Sequence, residues 1–414
     1  MHWVLPGLAL LALLGVVFEE ITHINKAKVT LFFGTLAWLL LFIYETLEGH
    51  QERVQHGLET NISEIATLWL FLVAAMTFVA YLNKKGMIEN VIYLFLPKQI
   101  SEKTLLFLTA VFSFLFSSLA DNITATLVSV AMILSLKLPT AKTLRFSALV
   151  VFAVNSGGVA LITGDVTTLM IFLDQRVGIV DLMMLSLPSL LSVLLVAAVL
   201  SFGLKEQVKI QGHTTELRKV DLAIAGLFLL TIISTISLNA VFQVPPVLTF
   251  LFGLSIMFLI ARFFHDDNEL DPILEYVRVI EFEALLFFLG ILLIVGALKE
   301  VEVLNSLVNI YSLSSPMIGN YLMGLLSALI DNVPLTAAVL KSDIDMSQSD
   351  WLALTYSVGV GGSLLVIGSA AGIVAMSKIS ELTFAGYARY SAVLLFAFTL
   401  GYFNVYFLGH WLFN

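Results

Sequence analysis

The sequence predicts an all-α polytopic membrane protein made of two inverted-topology repeats, each with a re-entrant hairpin and a discontinuous transmembrane helix. Three observations predict it. Of 414 residues, 59% are hydrophobic and only 12% charged, about half the charge of an ordinary soluble domain. The apolar residues fall in long runs, with a mean hydropathy of +0.98, and a membrane-spanning helix needs roughly 20 such residues while satisfying its own backbone. An Asp-Asn pair interrupts an apolar segment once in each half.

Taken in order, residues 1–18 are apolar but lack a basic leader and a small-residue cleavage site, so 3–18 reads as a first span and not as a signal peptide. Apolar segments follow at 29–47 and 64–82, then 104–136 and 144–173, each interrupted, then 182–203. Residues 205–219, KEQVKIQGHTTELRK, have no apolar run and carry Lys205, Lys209, Arg218 and Lys219, which makes them the linker. The pattern restarts at 220–240, 246–264 and 280–298, continues through interrupted segments at 317–340 and 350–377, and ends with 384–408. The first repeat is therefore 1–204, the cytoplasmic linker 205–219 and the second repeat 220–414.

Basic residues are retained on the cytoplasmic side of a membrane. The loops flanking 104–136 are both basic, with Lys84, Lys85, Lys98 and Lys103 before it and Lys137, Lys142 and Arg145 after it. That segment therefore enters and leaves on one side, as a hairpin. Only Arg53, Arg176, Lys299 and Lys341 then fall outside. Each half has an odd number of crossings, so the second begins on the opposite side from the first, hairpin 317–340 opens outward, and both termini are external. Inverted repeats with broken helices meeting near the midplane are a recurring plan of secondary transporters.

The repeat extends to residue identities. Residues 118–124, SLADNIT, align with 328–334, ALIDNVP, and Gly157, Gly158, Gly164 and Asp165 align without a gap with Gly361, Gly362, Gly368 and Ser369. Either Gly-Gly pair alone reads equally well as a small-residue packing face.

An ionisable group deep in an apolar segment is costly and marks a functional site by default. Asp121, Asp165 and Asp331 meet that description. Ser117, Ser118, Asn122, Thr124 and Thr126 surround the first; Asn155, Ser156, Thr163, Thr167 and Thr168 the second; Ser327, Asn332 and Thr336 the third. Such oxygen-rich sets, with the carbonyls a helix break releases, suit an alkali cation, sodium above all. A carboxyl group in water titrates near ~3.9 and burial raises that value, so proton and sodium can compete for one site near neutral pH. The plainer reading is helix capping. It stands level with ligation for Asn122 and Asn332 and is weaker for the aspartates, because a neutral Ser caps without burying a charge. Thr167 and Thr168 equally well bond back to their own helix, and Pro334 fits a helix start.

Other features read as structural. Glu281 and Glu283 open a helix, where acids are favoured, or gather cations at an entrance. Glu19, Glu20, His23 and Lys26 form a loop cluster that reads as a solvated helix end sooner than as a pH-responsive patch. The acidic stretch 45–64, with His50 and His56, lacks a compact metal-ligand spacing and reads as a solvated external loop, so no transition metal is expected. The absence of cysteine excludes disulfides and thiolate chemistry. No GxxxxGK[ST] loop is present to bind ATP, no nucleophile motif stands out, and no basic stripe suggests nucleic acid despite the net charge of −9. The expectation is a secondary transporter, not an enzyme, with no cofactor.

The stretches FEEITHINKAKVTLFFGTLAWLL, LWLFLVAAMTFVAYLNKKG, SLADNITATLV, NSGGVALITGDVTTLMI, EALLFFLGILLIVGAL, LIDNVPLTAAVL and GVGGSLLVIGSAAGIVAM resemble the NhaD-type sodium/proton antiporters of the ion transporter superfamily over nearly the whole chain. GDVTT and IDNVP are the specific motifs. The resemblance implies export of cytoplasmic sodium, and of lithium, in exchange for external protons, in the inner (plasma) membrane of a prokaryote, supporting growth in alkaline or saline conditions. It also implies a homodimer with a scaffold and a moving transport region. Matching motif positions are Asp121, Asn122, Asn155, Asp165, Thr167, Thr168, Ser327, Asp331 and Asn332, with Ser363 and Ser369 as further carry-overs. Ala80 departs from the pattern, where many relatives carry a polar or acidic residue. Dicarboxylate/sodium symporters of the superfamily carry Ser-Asn-Thr hairpin tips; here the tips carry Asp, which favours cation exchange over a sodium-coupled di- or tricarboxylate carrier.

Overall fold

The computed structural model describes residues 1, 3–17, 24–87, 90, 99–209, 218–263, 276–277, 280, 282–302, 311, 314–342, 344–379 and 381–413. The expectations placed on Glu19, Glu20, His23, Glu281 and most of the 205–219 linker lie outside the described residues.

The protein is an all-α bundle. The first half comprises α1 (Val4–Val17), α2 (Lys26–Leu47), α3 (Gln51–Lys84), α4 (Glu102–Leu119), α5 (Asn122–Ser135), α6 (Thr140–Gly158), α7 (Val166–Leu173), α8 (Ile179–Met184) and α9 (Ser186–Leu200). The second comprises α10 (Lys219–Phe242), α11 (Pro246–Phe263), α12 (Phe282–Glu300), α13 (Pro316–Ser327), α14 (Asn332–Lys341), α15 (Gln348–Gly361), α16 (Ala370–Lys378), α17 (Phe384–Ala388) and α18 (Ser391–Phe413). Among the described residues, seven helices are long and apolar enough to cross a membrane. Large apolar side chains such as Trp3, Leu47, Phe202 and Trp411 are fully outward-facing, as expected where lipid is the solvent.

Two details depart from the expected boundaries. Most of 45–64 is helix and not loop, because α3 starts at Gln51; Val54, Asn61, Ile65 and Leu68 form a buried stripe at helical spacing, while the intervening polar residues stay wet. The start of the linker forms a short strand, β2 (Gln207–Lys209), antiparallel to β1 (Gln99–Ser101), with Ile100 opposite Val208. Lys142 clamps this ribbon by bonding Glu102 and Glu206.

All four expected interruptions are present, between α4 and α5, α6 and α7, α13 and α14, and α15 and α16. The first is a reversal: Ser113 Oγ, late in α4, donates to Ser129 Oγ in the middle of α5 at 2.9 Å, so the chain doubles back. The packing runs in matched pairs. α4 lies on α6 as α13 lies on α15; α5 lies on α16 as α14 lies on α7; α6 lies on α9 as α15 lies on α18. Backbones approach closely where glycine allows it. A Cβ on Gly157 would collide with the Phe114 carbonyl, and one on Gly361 with the Gly324 carbonyl.

The helices sort into two groups. In one, α2 packs along α12, with α1 and α3 against the pair and α10 and α11 packed on α3; Gly34 faces the Gly290 carbonyl, and Trp38 Nε1 donates to Leu293 O at 2.9 Å. The other holds the hairpins and broken helices with α9 and α18. Where the groups meet, α12 packs directly on α14. Leu72 and Met76 of α3 and Ile123 and Leu127 of α5 instead line a cavity of about 480 Å3 between them.

Candidate cation-binding site

Four helix N-termini converge on that cavity, those of α5, α7, α14 and α16, and all four N-cap residues line it. Asp121 caps α5, with Oδ1 accepting from Thr124 N (2.9 Å) and Oδ2 from Thr124 Oγ1 (2.7 Å). Asp165 caps α7, with Oδ1 accepting from Thr167 N (3.2 Å) and Oδ2 from Asn332 Nδ2 (3.0 Å). Asp331 caps α14 through Val333 N (3.1 Å). Ser369 caps α16 through Gly372 N (3.4 Å), and its Oγ also accepts from Asn155 Nδ2 (3.0 Å). Capping, which the sequence favours less for the aspartates than for the asparagines, is therefore what all three aspartates do. Asn122 and Asn332 are instead the first residues inside their helices. The reason is local: a helix N-terminus leaves orphan N–H donors, and an Asp side chain at the cap position supplies an oxygen that accepts from them.

The asparagines hold the breaks together. Asn122, with its amide nitrogen turned to Ser117, donates to Ser117 Oγ (2.7 Å), Gly164 O (3.2 Å) and Val154 O (3.3 Å). Gly158 has no room for a Cβ because that amide lies against it. Ser117 Oγ donates to Val154 O, and Ser327 Oγ to Val358 O, each at 2.7 Å, so both hairpins are pinned to their broken helix in the same way. Among the described residues, Asn155 Oδ1 is buried without a hydrogen-bond partner. Such groups are costly unless something else satisfies them.

Of the residues singled out from the sequence, the structure brings Asp121, Asn122, Asn155, Asp165, Asp331, Asn332 and Ser369 to one cavity. Thr124, Thr167, Thr168, Ser327 and Ser363 stand behind that lining. Thr124 braces Asp121, Thr168 Oγ1 points to Gly158 O at 3.5 Å, and Ser363 Oγ bonds back to Val360 O at 2.6 Å.

The cavity is also lined by Asn25, Lys26, Glu283 and Lys378, of which Glu283 and Lys378 are exposed. Lys26 is not a solvated helix end, as its loop context suggests. Its Nζ lies 3.8 Å from Asp331 Oδ2 and 4.6 Å from the Phe287 ring centroid. Sequence reasoning missed this residue at the site, although a signal was available: a lysine in the first turn opposes the helix dipole and so calls for another partner. Glu283 lies in the first turn of α12, accepting from Asn25 Nδ2 at 2.6 Å.

A polytopic bundle whose broken helices point their N-termini into one shared cavity has the architecture of a secondary transporter. The family model described as "Citrate transporter" matches residues 4–361. Curated relatives include the "Na(+)/H(+) antiporter NhaD" of Vibrio cholerae serotype O1, 31% identical over 93% of this chain and 87% of that protein, and that of Vibrio parahaemolyticus, 31% identical over 91% of this chain and 98% of that protein. The "Sodium/proton antiporter 1" of Arabidopsis thaliana is 29% identical over 92% of this chain and 70% of that protein. The chain belongs to the citrate-transporter family as that model defines it, among its NhaD-type antiporters.

Proposed function

We propose that this chain exchanges sodium, and lithium, for protons across the plasma membrane of a prokaryote, with both ions using the cavity of Asp121, Asp165 and Asp331. The observation that carries this reading is the occupation of three of the four converging helix N-termini by the chain's own carboxylates. Three of the four positive helix ends are balanced by a carboxylate and the fourth is capped by the neutral Ser369, so the centre of the cavity presents carboxylate oxygens. The buried, unpartnered Asn155 Oδ1 supplies a further oxygen. Sodium ions and protons are the substrates, and no cofactor is called for.

The mechanism is alternating access between two inverted repeats, 1–204 and 220–414, joined by a cytoplasmic linker. The matched helix pairs and the twin Ser117 and Ser327 bonds support the repeat. Lys26 and Lys378 line the cavity, and the basic-residue distribution argues for both being inside, with both termini outside. On the opposite face Lys341 of α14 pairs with Glu64 of α3. In this reading an exchange cycle moves the hairpin group past the α2 and α12 group. The homodimer rests on the family resemblance.

Everted membrane vesicles test the reading. Added sodium or lithium should dissipate an imposed pH gradient in a pH-dependent way; no response at any pH from about 7 to 10 ends the proposal. The second reading, a sodium-coupled di- or tricarboxylate carrier, is favoured by the family model's description and by the two lysines that line the cavity. Sodium-driven uptake of labelled citrate or succinate would establish it.

A further inference from the structure

We infer that Lys26 is a tethered counter-cation of the transport site, whose ammonium group stands beside the Asp331 oxygen a transported ion needs and so sets the affinity for sodium. The inference rests on the antiport reading and adds a residue that acts on the ion without ligating it.

The cap divides the work of the Asp331 carboxylate. Oδ1 accepts from Val333 N at 3.1 Å, which leaves Oδ2 for a cation, and Oδ2 is the atom that Lys26 Nζ approaches at 3.8 Å. Both side chains are largely withdrawn from solvent, 18% exposed for Lys26 and 8% for Asp331, so the attraction is screened less than at a surface. The lysine is held in place from several directions. Its stem starts at the first residue of α2, next to the N-cap Asn25, which bonds Glu283 of α12. Its carbonyl accepts from Thr30 Oγ1 at 3.0 Å, and its ammonium rests over Phe287 of α12 at 4.6 Å, a favourable position over a ring face.

The pair joins the two helix groups, since Lys26 belongs to the α2 and α12 group and Asp331 to the hairpin group. The matching position in the other hairpin is arranged differently. Asp121 Oδ2 accepts a neutral hydroxyl from Thr124, and among the described residues no basic group lies within ion-pair distance of Asp121. The two aspartates therefore meet an incoming cation on different terms. At Asp121 it joins a neutral hydrogen bond. At Asp331 it competes with a charge that cannot diffuse away. A unit charge fixed a few ångströms from a bound ion in a partly dehydrated cavity changes its affinity by about tenfold or more. Such a competitor weakens sodium binding, which favours ion release, and it keeps Asp331 compensated when the site holds no sodium.

The chain has no cysteine, so Lys26→Cys introduces a single thiol in the cavity lining. In proteoliposomes, the apparent KM for sodium of Lys26→Cys should fall about tenfold below wild type. Attaching an aminoethylthio group, which restores an ammonium, should raise KM toward the wild-type value; attaching a neutral methylthio group should not, and Lys26→Arg should keep the wild-type KM. The inference is overturned if both adducts give the same KM, or if the neutral variant matches wild type or binds sodium more weakly. If Lys26→Cys does not accumulate, Lys26→Gln provides the same comparison with Lys26→Arg. If neither neutral variant folds while Lys26→Arg does, the charge serves the fold and the inference also falls. Failure of the antiport reading is separate, because wild type itself would then show no sodium-dependent proton movement.

Discussion

At the scale of single residues, the aspartates at the helix breaks do two jobs. Each satisfies orphan N–H groups at a helix start, and each brings a carboxylate to a central cavity. Asn preserves the cap and removes the charge, so Asp121→Asn and Asp331→Asn should fold normally and lose sodium/proton exchange. Fluorescence dequenching in vesicles, alongside size-exclusion profiles, checks both halves of that expectation. Thr124→Val tests the support of Asp121: it removes a 2.7 Å hydroxyl bond to a carboxylate, a bond to a charged group worth about 1.5–3 kcal/mol. The apparent KM for sodium should change about tenfold or more while the maximal rate is largely kept. An unchanged KM would mean that Asp121 does not need that brace.

At the scale of elements, the hairpins and broken helices depend on glycine-mediated backbone contact. Gly157 sits against the Phe114 carbonyl and Gly361 against the Gly324 carbonyl, with no space for a methyl group at either. Gly157→Ala and Gly361→Ala should each destabilise the detergent-solubilised protein by about 1–3 kcal/mol through overpacking, seen as a lower melting temperature. Similar losses at the two positions are expected because the contacts match. The doubling back of α4 on α5 is open to a direct test as well. Ser113→Cys with Ser129→Cys, replacing a pair of hydroxyls 2.9 Å apart, should form a disulfide on mild oxidation, and exchange should continue because both residues belong to one hairpin. Absence of the cross-link would argue against the reversal.

At the scale of the whole molecule, the proposed exchange cycle moves the two helix groups past one another, and they meet where α12 packs on α14. The Glu64 and Lys341 pair joins α3 of one group to α14 of the other at one face of that boundary. Replacing both with cysteine, Glu64→Cys and Lys341→Cys, and oxidising should hold that face shut. Exchange should then stop and return on reduction; full exchange in the cross-linked protein would show that this face does not open during the cycle.

The sequence by itself determined the membrane bundle, the four helix interruptions and the aspartates at three of them. Hydropathy, glycine placement and an Asp within an apolar run are local signals, and each has a local physical cause. It did not show that α3 extends back to Gln51, because one buried stripe among polar residues is recognisable only once its packing partner is known. Nor did it show the β1 and β2 ribbon, which joins residues about a hundred positions apart. What only the tertiary structure decided is which polar groups face one another. Asp165 meets Asn332, Asn155 meets Ser369, and Lys26 meets Asp331. Each pair is made between the two halves of the chain, at separations where no pattern along the sequence carries distance. Charge and hydrogen bonding depend on distance, so the site became definite only when the halves were packed together.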